Sequence, residues 1–304
     1  RSKSGLPDHP FFSEKAIGAR EASGETMTDR AMASTDHTAL PRQPRELAAV
    51  SARLGRDFHL VQGPGGNSSI KDGDALWVKA SGFWLAEALD KAIFVPLSLS
   101  RVGALLAAGQ GDDFASAVLP GIGLKASIET GLHALMPHKV VIHTHAFGCV
   151  LTSILSNGRH RAADLLGTDF HWDWVDYHRP GGPLAAAIAD VIASHAVAPD
   201  VLLLANHGIL VGAATPDAAE ALLRTIEDRL TLALQPRLAP PAEARSAASA
   251  DERFEFDLAT SGLCDDETAL RFLTGAPRFP DQVVFVGGAV PLRAPTESLD
   301  EASR

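Results

Sequence analysis

The chain has 304 residues, 46% hydrophobic and 21% charged, enough apolar material for a sizeable core in one large domain or two small ones. Its formal charge of −10, from 37 acids against 27 bases, contains no run of Lys and Arg, which excludes an electrostatic footprint for nucleic acid or anionic lipid. Two cysteines far apart, Cys149 and Cys264, exclude a disulfide framework and a Cys-rich metal site; no stretch reaches the roughly 18 apolar residues of a membrane span, so a reducing cytoplasm is the expected location.

Residues 1–40 are polar, mix both charge signs and lack the apolar segment of a secretory signal, so they read as a disordered extension. From Pro44 to Leu54 the apolar positions fit a helix. "HLVQGPGGNSSIKDGDALWVKAS" then predicts strand, glycine turn, strand, polar turn and strand, with Gly73 supplying hairpin chemistry. "VPLSLSRVGALLAAG" predicts a loop and a helix capped by Ser98 or Ser100. In "IETGLHALM" the spacing is helical: Ile128, Leu132 and Leu135 share one face, Glu129 and His133 are i,i+4 neighbours on another, and Pro137 ends the helix.

"KVVIHTHA" predicts a strand, "CVLTSIL" a helix, and "FHWDWVDYHRPGG" an aromatic segment. "PLAAAIADVIASHA" follows as a helix, "DVLLLANHGILVGA" as a strand, and "TPDAAEALLRTIEDRLTLAL" as a long amphipathic helix opened by Thr215 and Pro216. A Pro/Ala/Ser linker precedes a short helix near "DDETALRFL" and a last strand, "QVVFVGG". The expected organisation is one domain over 41–290, with its core at 45–235, a linker and helix–strand unit at 236–290, and a tail at 291–304. Elements interleave irregularly and the opening hairpins exclude a purely parallel series, so the fold class is α/β: a central mixed or antiparallel sheet with helices on both faces.

Within the apolar strand, His143 and His145 are i and i+2 neighbours and present two imidazoles from one rigid element. His207, at the end of another apolar strand and followed by Gly208, can supply a third. Three histidines with a fourth position open are the pattern of a catalytic zinc site. The competing reading is a set of satisfied core or surface histidines. Glu129 favours the site, because a buried carboxylate is costly unless it is paired, metal-bound or used for proton transfer; otherwise it is a solvated helix residue contacting His133. The turn "GPGGNSS", with Gly66 in its middle, offers backbone N–H groups to phosphate or carboxylate oxygens, and Asn67 and Ser68 add side-chain donors. It lacks Walker and Rossmann signatures, and a plain tight hairpin is the alternative.

"GPGGNSS", "KASG" at 79–82, "SIETGLH" at 127–133, "HTH" at 143–145 and "NHG" at 206–208 together resemble the class II aldolase/adducin family in order and spacing, over about residues 45–235. "FLTGAPRFPDQVVFVGG" is similar to the end of the aldolase half of bifunctional rhamnulose-phosphate aldolase/short-chain dehydrogenase proteins; no dehydrogenase half follows here. The resemblance implies a three-layer α/β/α fold around a mainly antiparallel sheet and a homo-oligomer, a tetramer favoured, with active sites at subunit contacts. It also implies a zinc ion, or another divalent metal, on His143, His145 and His207.

By the same resemblance Glu129 is the acid/base residue, and Asn67, Ser81, Gly82 and Ser127, beside Gly66, bind the substrate phosphate. The activity implied is retro-aldol cleavage of a ketose or ketose phosphate through a metal-stabilised enediolate, Glu129 protonating carbon with a raised pKa. Decarboxylation of a 3-oxo sugar acid (phosphate) and retro-aldol epimerisation use the same chemistry, and an adducin-like binding module would need no metal. Pro64 and Ile128 stand where better-known members carry phosphate-binding Thr and Ser, so Lys79 or Lys125 compensates, or the substrate carries a carboxylate or no phosphate. Tyr177, the single tyrosine, falls later than the one some relatives use for proton transfer. Arg179 is a candidate for neutralising an anionic substrate, and His133, His138, His160, His178 and His195 read as surface or helix histidines.

Overall fold

The computed structural model describes residues 43–232, and in it the turn at Gly73, with φ of 56°, joins β1 (Asn67–Asp72) to β2 (Ala75–Lys79) as an antiparallel hairpin. β3 (Phe94–Ser98) adds antiparallel to β2 and runs directly into α2 (Leu99–Ala107), where the Arg101 N–H donates to Ser98 Oγ at 3.3 Å. The sequence pattern reads this segment as a loop. Pro96 argues against a strand, but β3 is the edge of the sheet, where a missing N–H is tolerated.

The sheet order is β3-β2-β1-β4-β7-β6-β5, which puts β4 (Val140–Thr144) at the centre, antiparallel to both β1 and β7 (Gly208–Ala213). β6 (Val201–Leu204) pairs antiparallel with β7 and parallel with β5 (Trp172–Val175). That one parallel pair needs a crossover, and α6 (Gly182–Ala193) supplies it. The sheet is therefore mainly antiparallel, as expected.

Helices cover both faces because each strand alternates two apolar sets. Val140, Ile142, Ile209 and Val211 face α1 (Arg45–Gly55), α4 (Phe147–Ser153), α5 (Gly158–Leu166) and α7 (Pro216–Leu232). Val141, Leu202, Leu204 and Leu210 face α6 and α3 (Thr130–Leu135), while Val95 and Leu97 meet α2. Thr215 Oγ1 accepts from the Ala218 N–H at 3.2 Å, so the expected start of α7 holds.

Other boundaries also differ from the sequence reading. "HLVQ" is a run of turns: the N–H groups of Leu60 and Val61 bond back to Asp57 O. "DVLLLANHGILVGA" is two strands, because Asn206 takes φ of 52° and reverses the chain within its apolar run. The aromatic segment contains β5, and α5 before it has no counterpart among the expected elements. The expected extension at 1–40, the linker, the C-terminal helix and strand and the tail lie outside the described residues.

Candidate metal centre

β4 sends His143 to the α3 face, the face of Val141, and its register sets Asn67 of β1 and Leu210 of β7 directly opposite. His145 follows one residue beyond the strand end. His207 occupies the turn between β6 and β7, its N–H held by Leu204 O at 3.1 Å. Glu129 is the residue before α3, with φ −90° and ψ 5°. It does not continue the helix towards His133; it turns into the histidines.

The three imidazole centroids are 5.0 to 5.1 Å apart. One ligand atom from each of Glu129, His143, His145 and His207 lies within 4.8 Å of all the others, so this buried set could hold a metal ion. Glu129 Oε1 is 3.1 Å from His207 Nε2 and 3.5 Å from His143 Nε2. Those spacings bracket the ~3.3 Å between neighbouring ligands that tetrahedral bonds of about 2.0–2.1 Å require. His143 Nδ1 lies 3.0 Å from Ile209 O, an acceptor only, so Nδ1 carries a proton and Nε2 is turned to Glu129, where it offers a lone pair to a metal or, without one, holds the proton that pairs with the carboxylate. A lone pair facing a carboxylate oxygen is unfavourable unless a cation or proton sits between them. Burial pushes His207 down to about 4, so its ring is neutral at pH 7, the state a metal takes.

The electrostatics of Glu129 correct one expectation. Burial alone raises a carboxyl pKa, but the charge of His143 and the hydrogen bonds of His143 and His207 outweigh it and hold Glu129 well below the ordinary range. Glu129 Oε2 accepts from Asn67 Nδ2 at 2.7 Å, so the Asn67 amide, expected on substrate, here orients the carboxylate.

The other expected substrate residues border this group. Gly66 presses against β4, where a Cβ would stand 3.1 Å from His143 O. Ser127 Oγ accepts from the Glu129 N–H at 3.2 Å. Exposed Ser81 and Gly82 run beside that segment, the Ser81 N–H donating to Lys125 O at 2.9 Å. A cleft of about 640 Å³ lined by Asp112, Asp113, Lys125, Ser127 and Ile128 opens there.

Several candidates have other work. Lys79 is buried, its Nζ donating to Pro64 O at 2.8 Å and Phe83 O at 2.6 Å, so it ties the glycine turn to the "KASG" loop. Lys79→Met strands both carbonyls and is expected to cost about 1–3 kcal/mol in chemical denaturation. Arg179 is exposed and paired with Asp112 at 3.2 Å, and Tyr177 is exposed after β5. His133, read as a surface or helix histidine, lies in α3 and is fully buried, its Nδ1 2.8 Å from Ser69 Oγ. His138 is largely covered too, with Nε2 2.7 Å from Asp200 Oδ1.

Gly208 is where the "NHG" turn admits no side chain. A Cβ there would stand 2.3 Å from Thr144 O and 3.0 Å from His145 Cδ2. Gly208→Ala is therefore expected to destabilise the fold by about 1–3 kcal/mol and to lower bound metal, read by thermal melting and elemental analysis.

Residues 45–234 match the family model described as Class II Aldolase and Adducin N-terminal domain. The uncharacterized oxidoreductase YuxG of Bacillus subtilis strain 168 is 31% identical over 193 residues, 59% of this chain; the chain spans 27% of that relative's length. Among solved structures, the N-terminal class II aldolase domain of a conserved protein from Thermoplasma acidophilum matches with TM-score 0.56 at 24% identity, covering 69% of this chain and 100% of that one. L-fuculose-1-phosphate aldolase from Thermus thermophilus matches with TM-score 0.44 at 21% identity, over 62% of this chain and 94% of that one.

Proposed function

From the premise that this chain belongs to the class II aldolase and adducin family, we propose that it is a metal-dependent carbon–carbon lyase that cleaves a ketose or ketose phosphate in the retro-aldol sense. The convergence of Glu129, His143, His145 and His207 carries this reading. An adducin-like binding role would leave four buried ionisable groups clustered with no use for them. His143, His145 and His207 would hold the ion, and zinc suits three imidazoles with a carboxylate in the fourth position. The ion supplies Lewis acidity to a carbonyl and its neighbouring oxygen.

The chain's own residues account for the rest. Glu129 moves the proton at the carbon that becomes nucleophilic, and Asn67 holds its second oxygen so that one face of the carboxylate addresses the substrate. Backbone N–H groups at Gly66 and Gly82, with Ser81 and Ser127, would receive the far end of the substrate. That end is less cationic than a phosphate prefers: Lys79 is committed to two carbonyls, and Lys125 shares the cleft with Asp112 and Asp113 beside exposed Ile128. This favours a carboxylate-bearing or unphosphorylated substrate, and with it decarboxylation of a 3-oxo sugar acid as the second reading.

No helix among the described residues is long and apolar enough to cross a membrane. A cytoplasmic homo-oligomer, tetrameric by the family's habit, completes the proposal. The test is a screen of metal-loaded protein against ketose phosphates, free ketoses and 3-oxo acids, scoring dihydroxyacetone phosphate, free aldehyde and CO2. Aldehyde release supports the aldolase; CO2 supports the decarboxylase; no product from any class overturns both.

A further inference from the structure

Glu227 lies in the buried stripe of α7 with Leu223, Ile226 and Leu230, only 6% exposed. A carboxylate there is costly unless its oxygens are fully used. Both are: Oε1 accepts from the Gly148 N–H at 2.5 Å and from Thr231 Oγ1 at 3.1 Å, and Oε2 accepts from the Cys149 N–H at 3.1 Å. Gly148 and Cys149 are in the first turn of α4, whose N–H groups have no partner within the helix. Ala146 stands at the N-cap and offers no side-chain acceptor. A carboxylate from a distant helix does the capping.

That turn is joined to two of the three histidines. Ala146 and Phe147 follow His145 without a break, and the Phe147 N–H donates to His59 O at 2.7 Å. Cys149 Sγ donates to Gly208 O at 3.1 Å, one residue from His207. The contact between helices is close: a Cβ on Gly148 would stand 2.5 Å from Thr231 Oγ1 and 2.9 Å from Thr231 N. The turn has little slack, and Glu227 sets where it sits.

We propose that Glu227 is a positioning residue for the metal centre, fixing the spacing of His145 and His207 by clamping the first turn of α4 to α7. The proposal rests on the metal assignment made above. Groups that hydrogen-bond a metal-ligating ring directly cost about 10–100-fold in affinity when lost; Glu227 acts one step further out, through the backbone of the α4 turn, so its loss should cost less.

Glu227→Gln is the informative variant. Its oxygen keeps the bonds from Gly148 and Thr231, while its amide sets N–H against the Cys149 N–H and loosens the turn. Purified full chains are titrated with Zn2+ against a competing chelator and loaded with Co2+ for visible spectra. Glu227→Gln is expected to weaken Zn2+ by up to about 10-fold, the low end of what a direct partner of a ligand contributes, and to alter the Co2+ spectrum. Ile188→Val, in the α6 core, is expected to leave both unchanged.

Thr231→Val removes one bond to Oε1 and shifts affinity the same way by a smaller factor; it decides the matter where Glu227→Gln does not fold. Wild-type affinity and spectrum in a folded Glu227→Gln, or failing that in Thr231→Val, overturn the proposal. A wild-type chain that binds no divalent ion overturns the metal assignment and this proposal with it.

Discussion

His143→Ala is expected to purify without divalent metal and without turnover, while the wild-type chain carries a bound ion. His143 sits mid-sheet, fully buried, with its Nδ1 proton committed to Ile209 O, so its ring has one orientation and its Nε2 one target. Loss of an outer partner of a metal ligand costs about 10–100-fold in affinity, and loss of a ligand itself should exceed that. The fold is weakened separately: Ile209 O loses its side-chain donor, about 0.5–1.5 kcal/mol for one hydrogen bond. Elemental analysis and thermal melting of the same preparation separate the two effects. Unchanged metal content in a folded His143→Ala would remove the metal centre from the account.

For Glu129→Gln the expected result is the opposite combination, metal retained and turnover lost. Three histidines remain as ligands, and a glutamine oxygen can still accept from Asn67 Nδ2, so the site keeps its shape. What disappears is a group able to take and return a proton, a loss of about 10²–10⁴-fold in kcat. Solvent deuterium incorporated at the new C–H of the product should fall with it, which a positional role alone would not predict. Because the histidines hold the Glu129 carboxyl well below the ordinary range, the wild-type group is a carboxylate at neutral pH before any ion binds. Wild-type turnover in Glu129→Gln would assign the proton to another residue.

Much of this is legible in the chain itself. His143 and His145 stand two apart in an apolar run, and a strand can only send such residues to one face. Glu129 follows from the cost of burying a carboxylate, and the hairpin at Gly73, the caps at Ser98 and Thr215 and the layered fold follow from local chemistry. The errors are also local in origin. β3 is hidden by Pro96, which only an edge position excuses. β6 and β7 read as one strand because their turn lies within one apolar run, although Asn206 and Gly208 carry the turn chemistry. His133 falls on a helix as read, but its full burial is not legible, because burial depends on what packs above a residue and periodicity over six helical residues is a weak guide to that. Glu227 does leave a trace in the pattern: with Glu220 it sits seven residues apart on the buried face of α7.

The sequence by itself determined which residues can bind a metal and which faces are apolar, since both depend on side-chain type and on the period of strand and helix. Only the tertiary structure decided that Glu129 turns away from His133 into three imidazoles, that Asn67 serves that carboxylate, that Lys79 is committed to two carbonyls, and that Glu227 caps α4. All but the Lys79 bond to nearby Phe83 O join segments that local pattern does not connect, fixed by sheet register, turn and helix packing, and such distances are properties of the assembled core.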